Sequence, residues 1–213
     1  MKAVNEIKVR VTQWAGGEKS DTILQFCRRP AVDPMAETLA REVLLGIRVR
    51  GDEAVVECLE KYDKVRLLPD QWQVRKSEIN EAREFVDVEF MNAAREAYKR
   101  ISSFARAGLR KDWSQSTPRG GMLGEQDPPL DRVGAYIPGG MAPLVSTALM
   151  TATLARVAGV AEVVACTPCG ADGKVNPYLL FALELAGASE VYKLGGIQAI
   201  GAMAYGTATV RKV

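Results

Sequence analysis

Residues 161–206 read AEVVACTPCGADGKVNPYLLFALELAGASEVYKLGGIQAIGAMAYG, and this stretch decides the fold. It holds two short runs typical of β-strands, AEVVAC at 161–166 and EVYKL at 190–194, and a longer apolar segment lies between them. The Asn-Pro pair at 176–177 is typical of the first positions of a helix. Strands that alternate with helices predict a parallel β-sheet with helices on its faces.

The same alternation extends on both sides of this stretch. Residues 133–137 predict a strand, and residues 146–158 predict a helix that ends before Gly159. A further helix is predicted over residues 197–205. Three strand–helix units therefore indicate an α/β fold of the Rossmann-like class in residues 129–213.

Ligands of parallel sheets bind beyond the carboxyl ends of the strands. In this sequence those ends are residues 136–141, 167–173 and 195–198, and all three contain glycine or proline. Glycines at such turns allow backbone N–H groups to approach a phosphate. We therefore expect a ligand site at this edge of the sheet.

Residues 1–128 differ in character from residues 129–213. The second part carries only 11 charged residues in 85, whereas the first part is highly charged and has helical periodicity. Apolar stripes predict several helices in the first part, and Asp33 is predicted to cap one of them. The positions expected to face inward are Met35, Leu39, Val43, Ile47, Val55, Leu59, Tyr62, Phe90, Ala94, Ala97, Ile101 and Phe104. The longest is predicted over residues 87–108, and the polar stretch 114–131 is predicted to join the two parts.

The composition excludes several classes of protein. The chain has 213 residues, 47% hydrophobic and 25% charged, which is typical of an ordinary globular protein. A net charge of +2 gives no electrostatic support for nucleic-acid binding. The sequence contains no histidine, which excludes a histidine acid/base or zinc ligand within it.

The expected compartment is the cytoplasm. The first 14 residues lack the apolar core of a signal peptide, and no run is apolar enough to span a bilayer. Cys27, Cys58, Cys166 and Cys169 are expected to be free thiols. The last two form a C-x-x-C motif, for which packing is a more common explanation than redox chemistry or metal binding.

The glycine-rich turns match no standard nucleotide fingerprint. Residues 134–141 have P-loop glycine spacing, but Gly140 and Met141 replace the lysine and the Ser/Thr that bind phosphate and magnesium. Tyr136 and Gln198 lie beside the two turns and could bind a base, ribose or amide. By spacing alone, a core tyrosine and a glutamine at a helix start are the more common explanations.

Several long motifs carry a more specific signal. RVGAYIPGGMAPLVS at 132–146 and LGGIQAIGAMAYGT at 194–207 resemble two signatures of the histidinol dehydrogenase family. RGDEAV at 50–55 and KYD at 61–63 resemble two further elements of that family. The resemblance extends from about residue 29 to the end of the chain.

The resemblance implies a function and a cofactor. Members of the family oxidise L-histidinol to L-histidine with NAD and zinc, as homodimers of about twice this length. Tyr136 and Gln198 match the tyrosine and glutamine that contact NAD. The zinc ligands and the catalytic Glu-His pair match no residue here, so we expect the N-terminal half of such an enzyme, inactive alone.

Two alternatives stay open from the sequence. The chain could belong to a dehydrogenase of another small polar alcohol, because the substrate residues are not among those it contains. It could also be a stand-alone NAD-binding module without catalysis. Neither alternative requires a nucleic-acid or membrane partner.

Overall fold

A computed structural model describes Val11 and residues 20–139 and 142–213. Most of the N-terminal segment and the Gly140-Met141 pair of the first glycine-rich turn lie outside the described residues. Contacts within the chain define two compact units, residues 1–39 and 40–213. No helix in the described ranges has the length and hydropathy needed to cross a membrane.

The first half of the chain is mostly helical. Its elements are α1 (Asp21–Arg28), α2 (Pro34–Arg50), α3 (Asp52–Cys58), a π-helical turn (Leu59–Asp63), a 3₁₀ turn (Pro69–Gln71), α4 (Lys76–Phe85) and α5 (Val88–Ala107). Side-chain caps are present at two of these helices, and the cap at Asp33 was predicted. Asp33 accepts a hydrogen bond from the Met35 N–H at 2.8 Å, and Asp87 accepts one from the Phe90 N–H at 2.8 Å.

Three predicted inward positions in these helices are wrong. Met35 is 82% exposed and Phe104 is 78% exposed, whereas Val43 and Ile47 of α2 are buried. Met35 and Phe104 both lie near the end of a helix. Tyr62 is exposed as well, because it lies in the π-turn, where the helical period on which the prediction rests changes.

The predicted join over residues 114–131 contains an antiparallel hairpin. Its strands are β1 (Trp113–Ser116) and β2 (Met122–Glu125), and every residue in both is exposed. Since neither strand has one buried face, the sequence lacks the alternating pattern that would have indicated a strand.

The second half contains the parallel sheet that the sequence predicts. Its elements are β3 (Arg132–Tyr136), α6 (Val145–Val157), β4 (Glu162–Cys166), α7 (Pro177–Leu185), β5 (Glu190–Tyr192) and α8 (Gly196–Tyr205). The strand order is β3-β4-β5, with both pairs parallel. The α/β fold class, with a helical N-terminal region and flanking helices on a parallel sheet, is confirmed.

Both faces of the central strand are covered. Val163 and Ala165 join a core that includes residues of α6 and α7. The opposite face packs on α8, since a Cβ placed on Gly134 would lie 2.7 Å from Met203 Sδ. Because Gly134 is the register partner of Val164, that residue shares the α8 face. The β4 residues 163–166 are therefore fully buried.

The outer edge of β5 is also paired. The Val74 N–H donates to the Val191 carbonyl at 2.8 Å, and the Lys193 N–H donates to the Trp72 carbonyl at 2.7 Å. Trp72 itself is fully buried, and its Nε1 donates to the Leu67 carbonyl at 3.2 Å. The segment around residues 72–74 thus covers an edge that would otherwise expose backbone donors and acceptors.

Charged side chains join the amino ends of all three strands. The Arg132 side chain is 7% exposed and donates to Glu162 at 2.5 Å and to Glu190 at 2.7 and 2.9 Å. The Tyr192 hydroxyl donates to Glu190 at 2.8 Å, and Arg211 pairs with Glu162. The hydrogen bond from Arg132 lowers the pKa of Glu190. A guanidinium this buried requires its carboxylate partners.

We expect Glu190→Gln to lower the free energy of unfolding at neutral pH by about 1–3 kcal/mol, because the buried guanidinium loses one carboxylate. Since the folded-state pKa of Glu190 is lowered, its contribution is present above the ordinary pKa of 4.5 and is lost as the pH falls through the folded value. As the pH falls through that range, urea denaturation should show a smaller loss of unfolding free energy for the variant than for the parent chain.

The matched control is Glu96→Gln, which breaks an exposed pair with Arg100 on α5. It should change the free energy of unfolding by less than about 0.5 kcal/mol. Equal effects of the two substitutions would contradict the stabilising role of the strand-end cluster.

Candidate functional site

A cavity of about 590 Å³ lies at the carboxyl edge of the sheet. Tyr136, Cys166 and Tyr192 are register partners across the three strands, so the loops that follow them begin side by side. The cavity walls include residues from all three loops, from the π-turn and from the start of α7: Asp63, Tyr136, Pro138, Gly139, Ala142, Pro143, Thr167, Pro168, Cys169, Gly170, Asn176, Leu179, Gly195 and Gly196. The site is therefore where the strand order predicts it.

A second cavity of about 580 Å³ lies beside it, between α4 and the start of α7. Its walls carry Glu78, Glu81 and Asp172 against a single cation, Lys174. This excess of negative charge disfavours an anionic ligand there. The first cavity has one carboxylate on its wall, so it is the better candidate for a nucleotide.

Tyr136 lies on the cavity wall at the end of β3. Its hydroxyl oxygen accepts a hydrogen bond from the Gly196 N–H at 2.9 Å. The hydroxyl proton has no acceptor among the described residues, and the side chain is only half-buried. Tyr136 thus stabilises the start of α8 and keeps one donor for a ligand.

Gln198 lies two residues into α8 and is 1% exposed. Its Nε2 donates to Asp63 Oδ2 at 2.9 Å. Gln198 is not among the residues of the cavity wall, whereas Asp63 is. Tyr136 and Gln198 are brought together at Gly196, since a Cβ there would lie 3.0 Å from Gln198 Oε1.

Asp63 was not selected as a site residue by sequence reasoning. It ends the π-turn, is half-buried, and accepts hydrogen bonds from Gln198 and from the Gly195 N–H. Burial raises the pKa of the carboxyl group, and both hydrogen bonds oppose that effect. The signal that could have identified it is the KYD element at 61–63.

Thr167 carries a polar atom without a partner. It is 1% exposed, directly follows β4 and lines the cavity, yet its Oγ1 has no hydrogen-bond partner among the described residues. An unpaired buried hydroxyl costs about 1–3 kcal/mol, so such a group needs an explanation. A ligand in the cavity would supply one.

Two glycines of the cavity wall lie very close to neighbouring side chains. A Cβ on Gly139 would lie 2.4 Å from Pro168 Cγ, and a Cβ on Gly195 would lie 2.9 Å from Pro168 Cβ and 3.1 Å from Asp63 Oδ2. The absence of a side chain at both glycines leaves room for the Pro168 ring and the Asp63 carboxylate to pack directly against the backbone. This close packing explains why glycine stands at positions 139 and 195, although the turns match no nucleotide fingerprint.

The C-x-x-C motif lacks the properties of a redox pair. Cys166 is fully buried, and burial raises the pKa of its thiol to about 12. Cys169 is half-buried on the cavity wall, and burial raises the pKa of its thiol as well. Reactive cysteines need a lowered pKa, so packing is the better explanation.

Comparisons with known proteins agree with this geometry. The histidinol dehydrogenase family model matches residues 28–213. The histidinol dehydrogenase of Symbiobacterium thermophilum is 42% identical over 186 residues, which cover 87% of this chain and 42% of that protein. That of Methanosarcina mazei is 46% identical over 172 residues, which cover 80% and 39%.

This chain belongs to the histidinol dehydrogenase family. The resemblance inferred from its motifs is thereby confirmed. A crystal structure of histidinol dehydrogenase from Elizabethkingia anophelis matches with a TM-score of 0.79 and 34% identity over 87% of this chain and 42% of that one. The chain spans about two fifths of the length of these relatives.

The family signatures lie at the cavity. The run at 132–146 supplies β3, Tyr136 and the first loop, and the run at 194–207 supplies the Gly195-Gly196 pair and Gln198. The KYD element supplies Asp63. Three segments of the histidinol dehydrogenase pattern that are far apart in sequence therefore meet at one site.

The described residues contain no group of three or more histidine, cysteine, aspartate or glutamate side chains that could hold a metal ion. The part of the chain that the structure describes does not fit a zinc site, and we assign zinc to none of its residues.

We expect Gly195→Ala to destabilise the chain by about 1–3 kcal/mol, because the added methyl group would overlap Pro168 and Asp63. The backbone φ of Gly195 is −105°, so the cost is steric and not conformational. Urea denaturation measures the loss.

Gly46→Ala is the matched control, since its Cβ would meet no atom closer than 3.8 Å inside α2. It should be neutral or stabilise by up to about 1 kcal/mol. If both glycines tolerated alanine equally, the close approach at Gly195 would be refuted.

Proposed function

We propose that this chain forms the NAD-binding part of a histidinol dehydrogenase. The whole enzyme would oxidise L-histidinol to L-histidine in histidine biosynthesis, as a zinc-dependent cytoplasmic homodimer. The observation that carries the proposal is the convergence of Tyr136 and the start of α8 on one cavity at the carboxyl edge of the sheet. Residues 129–213 would form the NAD-binding domain, and residues 1–128 part of the first domain.

The residues of this site fit a dinucleotide. A volume of about 590 Å³ is within the usual range for ligand pockets. Tyr136 and Thr167 offer hydroxyl donors that lack acceptors among the described residues. The glycines at 139 and 195 are part of the cavity wall and carry no side chain. NAD, when bound, supplies the hydride acceptor.

Gln198 is buried in this structure and is hydrogen-bonded to Asp63. Its Oε1 lies next to Gly196, which is a residue of the cavity wall. A nucleotide that reaches the start of α8 could therefore hydrogen-bond to Oε1. We propose Tyr136 and Gln198 as the cofactor-binding residues of this chain.

We expect the chain to bind NAD, and Tyr136→Phe to weaken binding by about three- to tenfold, since it removes one hydroxyl donor. Thr167→Val, which replaces a hydroxyl by a methyl group of similar shape, should weaken binding in the same direction. Isothermal titration calorimetry measures both effects.

The matched control is Tyr205→Phe, at the other end of α8 and outside the cavity wall. It should leave the dissociation constant unchanged. Absence of NAD binding by a folded parent chain would overturn the proposed function.

Proton transfer and zinc binding are not assigned to this chain. The sequence has no histidine, and the described residues hold no metal-binding cluster. We propose that these tasks belong to parts of the family fold that the chain does not span. The identity of the alcohol rests on the names of the relatives alone.

We expect the purified 213-residue chain to show no L-histidinol oxidation with NAD and zinc, measured by NADH absorbance against a no-enzyme control. Turnover above that control would show that the chain carries its own proton acceptor. Tight NAD binding without any turnover by longer forms of the protein would instead favour a stand-alone binding module.

A further inference from the structure

We infer that Asp63 is a positioning residue that orients the side-chain amide of Gln198 so that its oxygen, and not its nitrogen, is offered to the bound nucleotide. This inference rests on the proposed function, since it concerns how Gln198 would contact NAD. The sequence predicted no site residue in the helical first half of the chain. With Asp63, the site includes a residue from that half as well as residues that follow the strands of the sheet.

The hydrogen bond to Asp63 determines the orientation of the amide. An ionised carboxylate accepts hydrogen bonds and donates none, so it must face the Nε2 of Gln198. The 2.9 Å contact between Nε2 and Asp63 Oδ2 has this polarity. The opposite end of the amide, Oε1, is then the acceptor beside Gly196. Without Asp63, the amide could rotate and present either end.

Asp63 is held in place by the segment that carries it. The π-turn Leu59–Asp63 is anchored by Leu59 on one side and by Val65 on the other, and both are at least 95% buried. Between them, Lys64 has a φ of 58°, a left-handed conformation that reverses the chain directly after Asp63. A π-helical turn of this kind often marks a functional position in a helix.

A second contact fixes the carboxylate relative to α8. The Gly195 N–H donates to Asp63, and the absence of a side chain at Gly195 lets the carboxylate approach within 3.1 Å of a Cβ position. Asp63 therefore contacts both the residue before α8 and the side chain of Gln198. The carboxylate lines the cavity, but it accepts its hydrogen bonds from protein N–H groups. A residue that orients another side chain has this arrangement.

The chemistry of Oε1 predicts what it recognises. A carbonyl oxygen accepts hydrogen bonds, so its partner on the nucleotide must be a donor. NAD offers three classes of donor: the hydroxyl groups of its riboses, the exocyclic amine of the adenine and the amide N–H of the nicotinamide. Comparison of NAD with ADP-ribose, which lacks the nicotinamide, separates the nicotinamide amide from the other two classes.

The test is a double-mutant cycle on the 213-residue chain with NAD as the titrated ligand. The variants are Asp63→Leu, Gln198→Met and the pair, each of similar volume to the parent side chain. We expect each single variant to weaken binding by about tenfold, and Asp63→Leu to have less than about a threefold further effect when Gln198 is already replaced. Asp63→Asn, which keeps an acceptor oxygen, should fall between the parent and Asp63→Leu.

Independent, additive effects would overturn the inference, because Asp63 would then act without Gln198. An unchanged dissociation constant for Asp63→Leu would overturn it as well. Asp70→Leu, at an exposed carboxylate outside the cavity wall, is the control for loss of charge. Urea denaturation of every variant separates loss of binding from loss of folding.

The proposed function and the orientation of Gln198 are tested by different measurements. If the parent chain failed to bind NAD, the proposed function would fail, whereas the orientation of Gln198 could still be measured by NMR. The side-chain amide signals of Gln198, assigned by their loss in Gln198→Met, should shift strongly in Asp63→Leu. Unchanged chemical shifts of these amide signals in Asp63→Leu would overturn the positioning role, whether or not the chain binds NAD. An effect of Asp63→Leu that disappears with ADP-ribose would identify the nicotinamide amide as the donor.

Discussion

The complete burial of β4 is the constraint on which the rest of the structure depends. This strand is hydrogen-bonded to β3 on one side and β5 on the other, with α6 and α7 on one face and α8 on the opposite one. A strand in that position has no freedom to shift its register, since a shift of one residue would exchange the two buried faces. The fixed register places the ends of all three strands in line, and the cavity forms where they end.

The two edges of the sheet differ in how their polar groups are satisfied. At the amino edge, Arg132 is paired with Glu162 and Glu190, and Tyr192 completes the cluster. At the carboxyl edge, the Thr167 hydroxyl oxygen has no partner among the described residues, and the Tyr136 hydroxyl has no acceptor there for its proton. Paired groups stabilise the fold, whereas unpaired groups next to a cavity are available to a ligand. The charged cluster therefore stabilises the amino edge, whereas the cavity lies at the carboxyl edge.

The sequence predicted those features that depend on local chemistry. The three strands and the helices between them follow from propensity rules. The caps at Asp33 and Asn176 and the positive φ of Gly159 follow from capping rules. The fully exposed hairpin of β1 and β2 was missed because it has no apolar face. Phe104 was misplaced because periodicity shows which face is apolar but not where the covering neighbour ends.

The candidate site was predictable only in part, for a related reason. Tyr136 and Gln198 were selected by resemblance to family motifs, whereas spacing alone favoured packing roles for both. Asp63 is 135 residues from Gln198 in sequence, and no local rule connects a residue at the end of a helix with an amide in a distant one. Contacts of this kind depend on the tertiary fold.

The chemistry of the cavity wall is consistent with a division of tasks within the family fold. The Cys169 thiol stays protonated at neutral pH, because burial raises its pKa above the ordinary value of 9.0. The Asp63 carboxylate already accepts hydrogen bonds from Gln198 and Gly195, so abstraction of a proton would require these contacts to be replaced. The sequence offers no histidine to take that role. The wall therefore suits recognition of a nucleotide by fixed donors and acceptors, and the transfer of protons requires groups of a different kind.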